Sequence, residues 1–283
     1  MNKLIPFRHL AIAFFSCLLA ASCSIDDDTA ALPDGKYPMT FTAQVDGLNV
    51  TRATGKDTWT GNDKIAVSID GGSNHKTYKI TNTTTGAMSP DDAANTLYWQ
   101  KNRGQRIQAW FPVSATATIS DQSSGFSSYD YLVSDGTYNY TASGVKLPFT
   151  HAMAKVKYTL QKGDGISDSD LSSAAVQIYG YTEVSFTNGT LSGNTEGWIT
   201  PHADREALVV PLQLQRQQFI KVTIGINDAA RDYYYTPTDI NLEAGKQYSY
   251  TITVKKEGLV VEGISASWTD SDLGTPEATE KKD

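Results

Sequence analysis

Cys23 and Arg52 are the two residues whose type and setting could support covalent chemistry on this chain. Cys23 follows the small residues Ala20, Ala21 and Ser22, which leave the backbone open to a peptidase and the thiol open to acylation. Arg52 lies in Val50-Thr51-Arg52-Ala53-Thr54, after an alternating apolar run and before a Gly-rich polar stretch ending at Gly61. That setting is an accessible connector, where a trypsin-like protease could cut between Arg52 and Ala53. The remaining chemistry is sparse. His75, His151 and His202 are the histidines outside the N-terminal segment, and no nucleophile elbow, zinc-binding HExxH or phosphate-cradling glycine loop is found. His151, after Leu147-Pro148-Phe149-Thr150, reads as a hydrogen-bonded structural residue. Asp164, Asp168 and Asp170 miss the spacing of an EF-hand and lack its glutamate, so they read as solvated carboxylates. Tyr233-Tyr234-Tyr235 and Trp99 could stack on a sugar, yet in alternating strands at least half of such rings belong to the core. The expectation is a chain that is not an enzyme and holds no metal or cofactor beyond a lipid on Cys23.

The N-terminus explains why Cys23 stands apart. Lys3 and Arg8 precede an apolar run from Leu10 to Ala21, the layout of a cleavable secretory signal over residues 1–22. The run is about 12 residues, short of the roughly 20 that a spanning helix needs. Leu19-Ala20-Ala21-Ser22-Cys23 resembles a bacterial lipobox, with leucine one place further out than usual. Residues 23–36, with Asp26, Asp27 and Asp28, read as an acidic flexible linker; the acidic cluster is similar to the surface-export tags of lipoproteins in gut and oral Gram-negative anaerobes. Cys17 and Cys23 are the only cysteines, so the mature chain has no internal disulfide and must rest on apolar cores. Without Lys3 and Arg8, 22 of the 24 Lys+Arg remain against 31 Asp+Glu, a net charge of −9 that disfavours nucleic acid and anionic membrane surfaces as partners.

From Tyr37 onward, strands and turns dominate. Apolar residues alternate at Met39, Phe41, Ala43 and Val45; at Ile65, Val67 and Ile69; and at Ala154, Val156, Tyr158 and Leu160. The pattern returns at Ile220, Val222, Ile224 and Ile226, and at Tyr248, Tyr250, Ile252 and Val254. Lys155, Lys157, Thr251 and Thr253 are assigned to wet faces. Gly71-Gly72, Asp135-Gly136 and Asn188-Gly189 predict hairpins. A short helix is expected over Asp170 to Ala175, with Ser169 as N-cap. The polar segment Gln161 to Ser169 predicts the boundary between an N-terminal β-sandwich over 37–160 and a C-terminal one over 161–270, with a disordered tail over 271–283.

Several segments together resemble the fimbrillin-like family, surface lipoproteins that build type V pili in those anaerobes. They are Thr51-Arg52-Ala53 with Trp59; Gly61-Asn62-Asp63-Lys64-Ile65-Ala66-Val67; Ala109-Trp110-Phe111-Pro112; Leu147-Pro148-Phe149-Thr150-His151-Ala152-Met153-Ala154-Lys155-Val156; Leu242-Glu243-Ala244-Gly245-Lys246-Gln247-Tyr248-Ser249-Tyr250-Thr251-Ile252; and Ser267-Trp268-Thr269. The resemblance implies an all-β fold of two tandem transthyretin-like (Greek-key) β-sandwich domains, placed after the signal peptide and flexible linker. It also implies a mechanism: the precursor reaches the outer membrane lipidated at Cys23, and an arginine-specific surface protease cuts after Arg52. The first strand, within residues 37–52 and carrying Met39, Phe41, Ala43 and Val45, then leaves, and a strand of another pilin subunit fills the vacated groove.

The donor is sought in Leu259 to Trp268, with Val260, Ile264, Ala266 and Trp268 on one face. Should that segment instead complete the second sandwich, the subunit accepts a strand without giving one, as a tip or accessory pilin would. Partners implied are other pilin subunits, the protease, the outer membrane through the lipid, and an adhesion ligand of the host or of another bacterium. Two alternatives stand beside this reading: a pilus anchor that keeps its lipid and first strand, and a glycan-binding surface lipoprotein.

Overall fold

The computed structural model describes residues 32, 36–45, 59–69, 71, 74–226 and 229–267. The alternating runs fold as strands, beginning with β1 (Phe41–Val45), β2 (Lys64–Ser68), β3 (Lys76–Asn82) and β4 (Ala87–Pro90). They continue with β5 (Gln105–Phe111), β6 (Ser114–Thr118), β7 (Leu132–Tyr138) and β8 (Val145–His151). All but β6 form one closed barrel in the order β1-β4-β3-β2-β5-β7-β8, and β1 completes the circle by pairing in parallel with β8. The first unit is therefore a closed barrel rather than the sandwich of separate sheets expected, because β1 bonds to a neighbour on each side. Its interior holds Phe41, Trp59, Tyr78, Ile107 and Phe149 among other apolar residues.

The second unit contains β9 (Ala154–Lys162), helix α1 (Asp168–Ser172), β10 (Ala175–Thr187), β11 (Thr190–Ile199) and β12 (Glu206–Val209). After these come β13 (Leu212–Gln215), β14 (Ile220–Ile226), β15 (Ala229–Tyr235), β16 (Asp239–Leu242), β17 (Lys246–Lys255) and β18 (Gly258–Ser267). One sheet runs β11-β10-β14-β15, with β6 added along the far half of β10; the other runs β12-β9-β17-β18, and β13 pairs with β16. Val176, Ile178, Val222 and Ile224 from the first sheet share a core with Val156, Leu208, Ile252 and Val254 from the second. The chain is thus all-β apart from short helical turns.

Several expectations need correction. The strand sets divide between β8 and β9 rather than at 161–169, since β9 pairs with β12 and β17. Polar composition marks the exposed turn after β9, whereas the change of sheet happens inside the apolar stretch Ala152-Met153-Ala154, which is buried on arrival in the second core. β6, though it precedes β7, also belongs to the second unit's sheet. Asp135-Gly136 makes no hairpin; it lies inside β7, where Asp135 pairs with Arg106 on the wet face and Gly136 makes room for the Tyr138 ring. The N-cap of α1 is Ser167, not Ser169, because Ser167 and Asp170 satisfy one another's backbone in a capping box. Lys155 is not on a wet face: it is buried with its Nζ 3.7 Å from Glu206, on the edge strand beside it. Asn188-Gly189 does turn the β10–β11 hairpin, both residues having positive φ as a type I′ turn requires.

The two units share side chains. Ala66 and Trp110 point outward from the barrel wall and are buried in the second core, where Tyr131 stacks on Phe186 at 4.9 Å. Gln122 binds the free edge of β12: its Nε2 donates to the Leu208 carbonyl at 2.8 Å and its Oε1 accepts from the Leu208 N–H at 2.8 Å. Replacing Gln122 with Leu leaves both buried backbone groups without that amide. Urea unfolding should then show a loss of about 2–4 kcal/mol.

Candidate functional site

The groove occupied by β1 is the site at which the sequence's chemistry and the fold meet. Met39, Phe41, Ala43 and Val45 all point into the barrel and are at most 4% exposed. Phe41 packs edge-on against Tyr78 at 4.9 Å, and Trp59 packs edge-on against Phe111 and Phe149, each at 5.5 Å. On one side β1 runs parallel to β8, in register from Phe41 opposite Val145 to Val45 opposite Phe149. On the other it is antiparallel to β4 only at Phe41 and Thr42, and the rest of that edge is closed by single bonds. Met39 N–H donates to the Leu97 carbonyl at 2.8 Å, Ala43 N–H to the Gly86 carbonyl at 2.9 Å, and the Trp59 indole Nε1 to the Ala43 carbonyl at 3.1 Å.

Burial of Met39, Phe41 and Val45, with a smaller share from Ala43, is worth about 5–10 kcal/mol before ordering costs. That range overlaps the whole stability of an ordinary domain, about 5–15 kcal/mol. A barrel emptied of β1 would therefore be poorly stable and would present an open edge. The backbone fit is equally tight. Gly86 has φ +71°, and a Cβ there would meet the Ala43 carbonyl oxygen at 1.9 Å.

Cys23, Arg52, Ala53 and Trp268 lie outside the described residues, as do the signal segment, the 271–283 tail and most of the 23–36 linker. Val260, Ile264 and Ala266 lie on β18, which pairs with β17 along its full length, from Gly258 opposite Lys255 to Ser267 opposite Lys246. Val260 is 46% exposed on the face away from the core, and Ile264 is half-buried on that same face, while Leu259 and Val261 pack inward. The proposed donor segment is thus folded here as the edge strand of the second unit.

The other residues read from the sequence go separate ways. Trp99 is buried in the barrel core and offers no sugar platform. Tyr234 is exposed and lies 6.0 Å from Trp198, which has the Lys221 Nζ over its ring at 5.3 Å. His151 is buried with Nδ1 2.8 Å from the Asp130 carboxylate, in keeping with a structural role. Asp168 pairs with Lys162 and Asp170 caps α1. Among the described residues no group of three or more His, Cys, Asp and Glu could hold a metal ion. Trp59 and Gly86 were not legible as site residues. A lone tryptophan beside Gly- and Thr-rich segments was the one available signal.

Fold and groove together define an all-β scaffold whose first unit is closed by its most N-terminal described strand. The chain belongs to the fimbrillin-like family, whose model matches residues 51–269. It is 23% identical, over an alignment 305 positions long, to a candidate fimbrium subunit, Fim1C, of Bacteroides uniformis, covering 94% of this chain and 97% of that one. Two solved structures share its fold. A candidate cell adhesion protein of Bacteroides uniformis aligns with a TM-score of 0.58 at 20% identity, over 83% of this chain and 100% of the other. One of Bacteroides ovatus aligns with a TM-score of 0.58 at 17% identity, over 84% and 100%.

Gly86→Ala tests the tightness of the β1 fit. The new methyl group collides with the backbone of β1 and occupies a left-handed conformation, so a loss of about 3 kcal/mol or more is expected in thermal or urea unfolding. Gly61→Ala, with open space around the added carbon, should change stability by less than about 1 kcal/mol.

Proposed function

We propose that the chain is a structural subunit of a surface fimbria, exported as a precursor lipidated on Cys23 and switched to its assembling form by a cut after Arg52. The observation that carries this reading is β1 itself with the residue before it: Met39 and the three inward residues of a short strand, all buried and alternating, joined to the rest of the barrel through the connector that holds Arg52. The family match starts at residue 51, after the strand that closes the barrel, which fits a body defined without it. Similarity to a candidate fimbrium subunit and to candidate adhesion proteins supports a place in a fimbria at the cell surface and a scaffold rather than an enzyme.

In the uncut chain the connector holds β1 beside its groove at an effective concentration on the order of millimolar. A competing strand with equal contacts cannot displace it efficiently. Cleavage removes the tether and leaves the lipid with the departing fragment. A strand from a neighbouring subunit can then take over both ladders and the apolar sites, so the exchange is close to neutral in contacts and is driven by loss of the tether. In this reading the two units are tandem transthyretin-like modules, the first closed to a barrel only while a strand fills the slot. The full-length pairing of β18 with β17 favours an accepting subunit, at the tip or in an accessory position. An anchor that keeps Cys23 and β1 would use the same closed barrel permanently.

Treatment of the full-length precursor with an arginine-specific protease should yield a body that begins at Ala53, releases the first strand and takes up an added peptide of residues 37–48, which the uncut precursor should not bind. An Arg52→Ala precursor should stay intact and monomeric. Peptide uptake by the uncut chain, or cleavage elsewhere with no uptake, would overturn the proposal.

A further inference from the structure

The β4 side of β1 has a defect in its ladder at Ala43, and the way it is filled assigns a role to Trp59. Antiparallel register places Gly86 opposite Ala43, one step beyond the Thr42–Ala87 pair. In a regular ladder two such residues exchange both of their N–H···O bonds. Here only one of the two is made. Ala43 N–H reaches the Gly86 carbonyl at 2.9 Å, but Gly86 N–H turns back into the tight bend after β3 and donates to the Asn82 carbonyl at 2.8 Å. The Ala43 carbonyl is thereby deprived of its ladder donor, and the Trp59 indole N–H occupies that place at 3.1 Å in a buried setting. The positive φ at Gly86 and the absence of a Cβ let the bend pass flush against that carbonyl. Trp59 is held for the task by the Phe111 and Phe149 rings on either side of it.

We infer that Trp59 is a positioning residue that reads one backbone carbonyl of whatever strand lies in the slot, and so fixes that strand's register. The inference rests on the strand-exchange reading only for the nature of the occupant after cleavage. Trp59 lies on the body side of Arg52, so it stays with the groove when β1 departs. An indole N–H is a single donor with no acceptor capacity. It can bond only where the occupant presents a carbonyl toward β4. A slip by one residue turns the carbonyl to the β8 side and every side chain to the wrong face, leaving the indole and the Gly86 carbonyl both unpaired. The chemical class of partner that fits is an extended peptide with four alternating apolar residues, a free N–H and carbonyl at the third of them, and no proline there.

Two measurements with Trp59→Phe, which keeps a ring in the wall and removes the N–H, test this. In the uncut chain, hydrogen exchange at the Ala43 amide should quicken about five-fold, the worth of one neutral hydrogen bond, while amides of β5 and β7 keep their wild-type rates. An unchanged Ala43 amide, or an equal rise across the whole barrel, would overturn the inference. In chain cut after Arg52, release of a synthetic peptide of residues 37–48 should likewise quicken about five-fold in the variant. A peptide with an ester between Ala43 and Gln44 weakens the carbonyl as an acceptor; with it the variant and the wild type should release at nearly the same rate, because the bond read by Trp59 is already lost. Equal acceleration with both peptides would mean that Trp59 acts by packing alone. A chain that resists cleavage after Arg52 defeats the strand-exchange reading and leaves the Ala43 exchange rate to decide the role of Trp59.

Discussion

A β-barrel has no edges only while every strand is present, and in this chain the closing strand is the most N-terminal of the described strands. β1 satisfies backbone groups of β8 along five residues and of β4 along two, and fills the interior with three side chains, joined by Met39 just before it. Everything that surrounds it is shaped to that occupation. Gly86 has no side chain where the strand passes, and Trp59 supplies a bond that the bend before β4 takes away. An open edge with buried apolar walls is costly and adhesive, and β1 covers the one its slot would otherwise present.

The second unit supplies the stiffness this arrangement needs. The barrel wall contributes Trp110 and Ala66 to the second core, β6 adds to the long hairpin strand β10, and the hairpin turn at Gly189 lies against Trp110. These contacts fall on β2, β5 and the segments next to them, across the barrel's strand order from β1. The chain link to the second unit, by contrast, leaves from β8, the strand that β1 pairs with along five residues. The edge strand β18 presents Val260 on its outer face, at the margin of the other sheet from the hairpin. The β1 slot and the edge strand β18 belong to different units.

Much of the fold was legible because it follows from local pattern. Period-two alternation placed β1, β2, β9, β14 and β17, and the Asn188-Gly189 turn followed from its backbone requirement. Long-range facts were not. Nothing local distinguishes a strand that pairs in parallel with β8 from one that pairs with its chain neighbour, so the closed barrel was missed. Glycine misled at Gly136, where it relieves crowding by Tyr138 rather than turning the chain. Polarity misled at Lys155, whose charge is buried against Glu206 from an adjacent strand that sequence does not bring near. The site was half legible: the inward residues Met39, Phe41, Ala43 and Val45 could be read from their spacing, whereas the bond of Trp59 depends on a carbonyl sixteen residues away whose ladder partner has turned aside.

Whether the slot is a permanent closure or an exchangeable one is decided most directly by the N-terminus of the protein sheared from the cell surface, determined by mass spectrometry. The account predicts chains that begin at Ala53 and lack the lipid. Chains that all begin at a lipid-bearing Cys23 and retain β1 would contradict it.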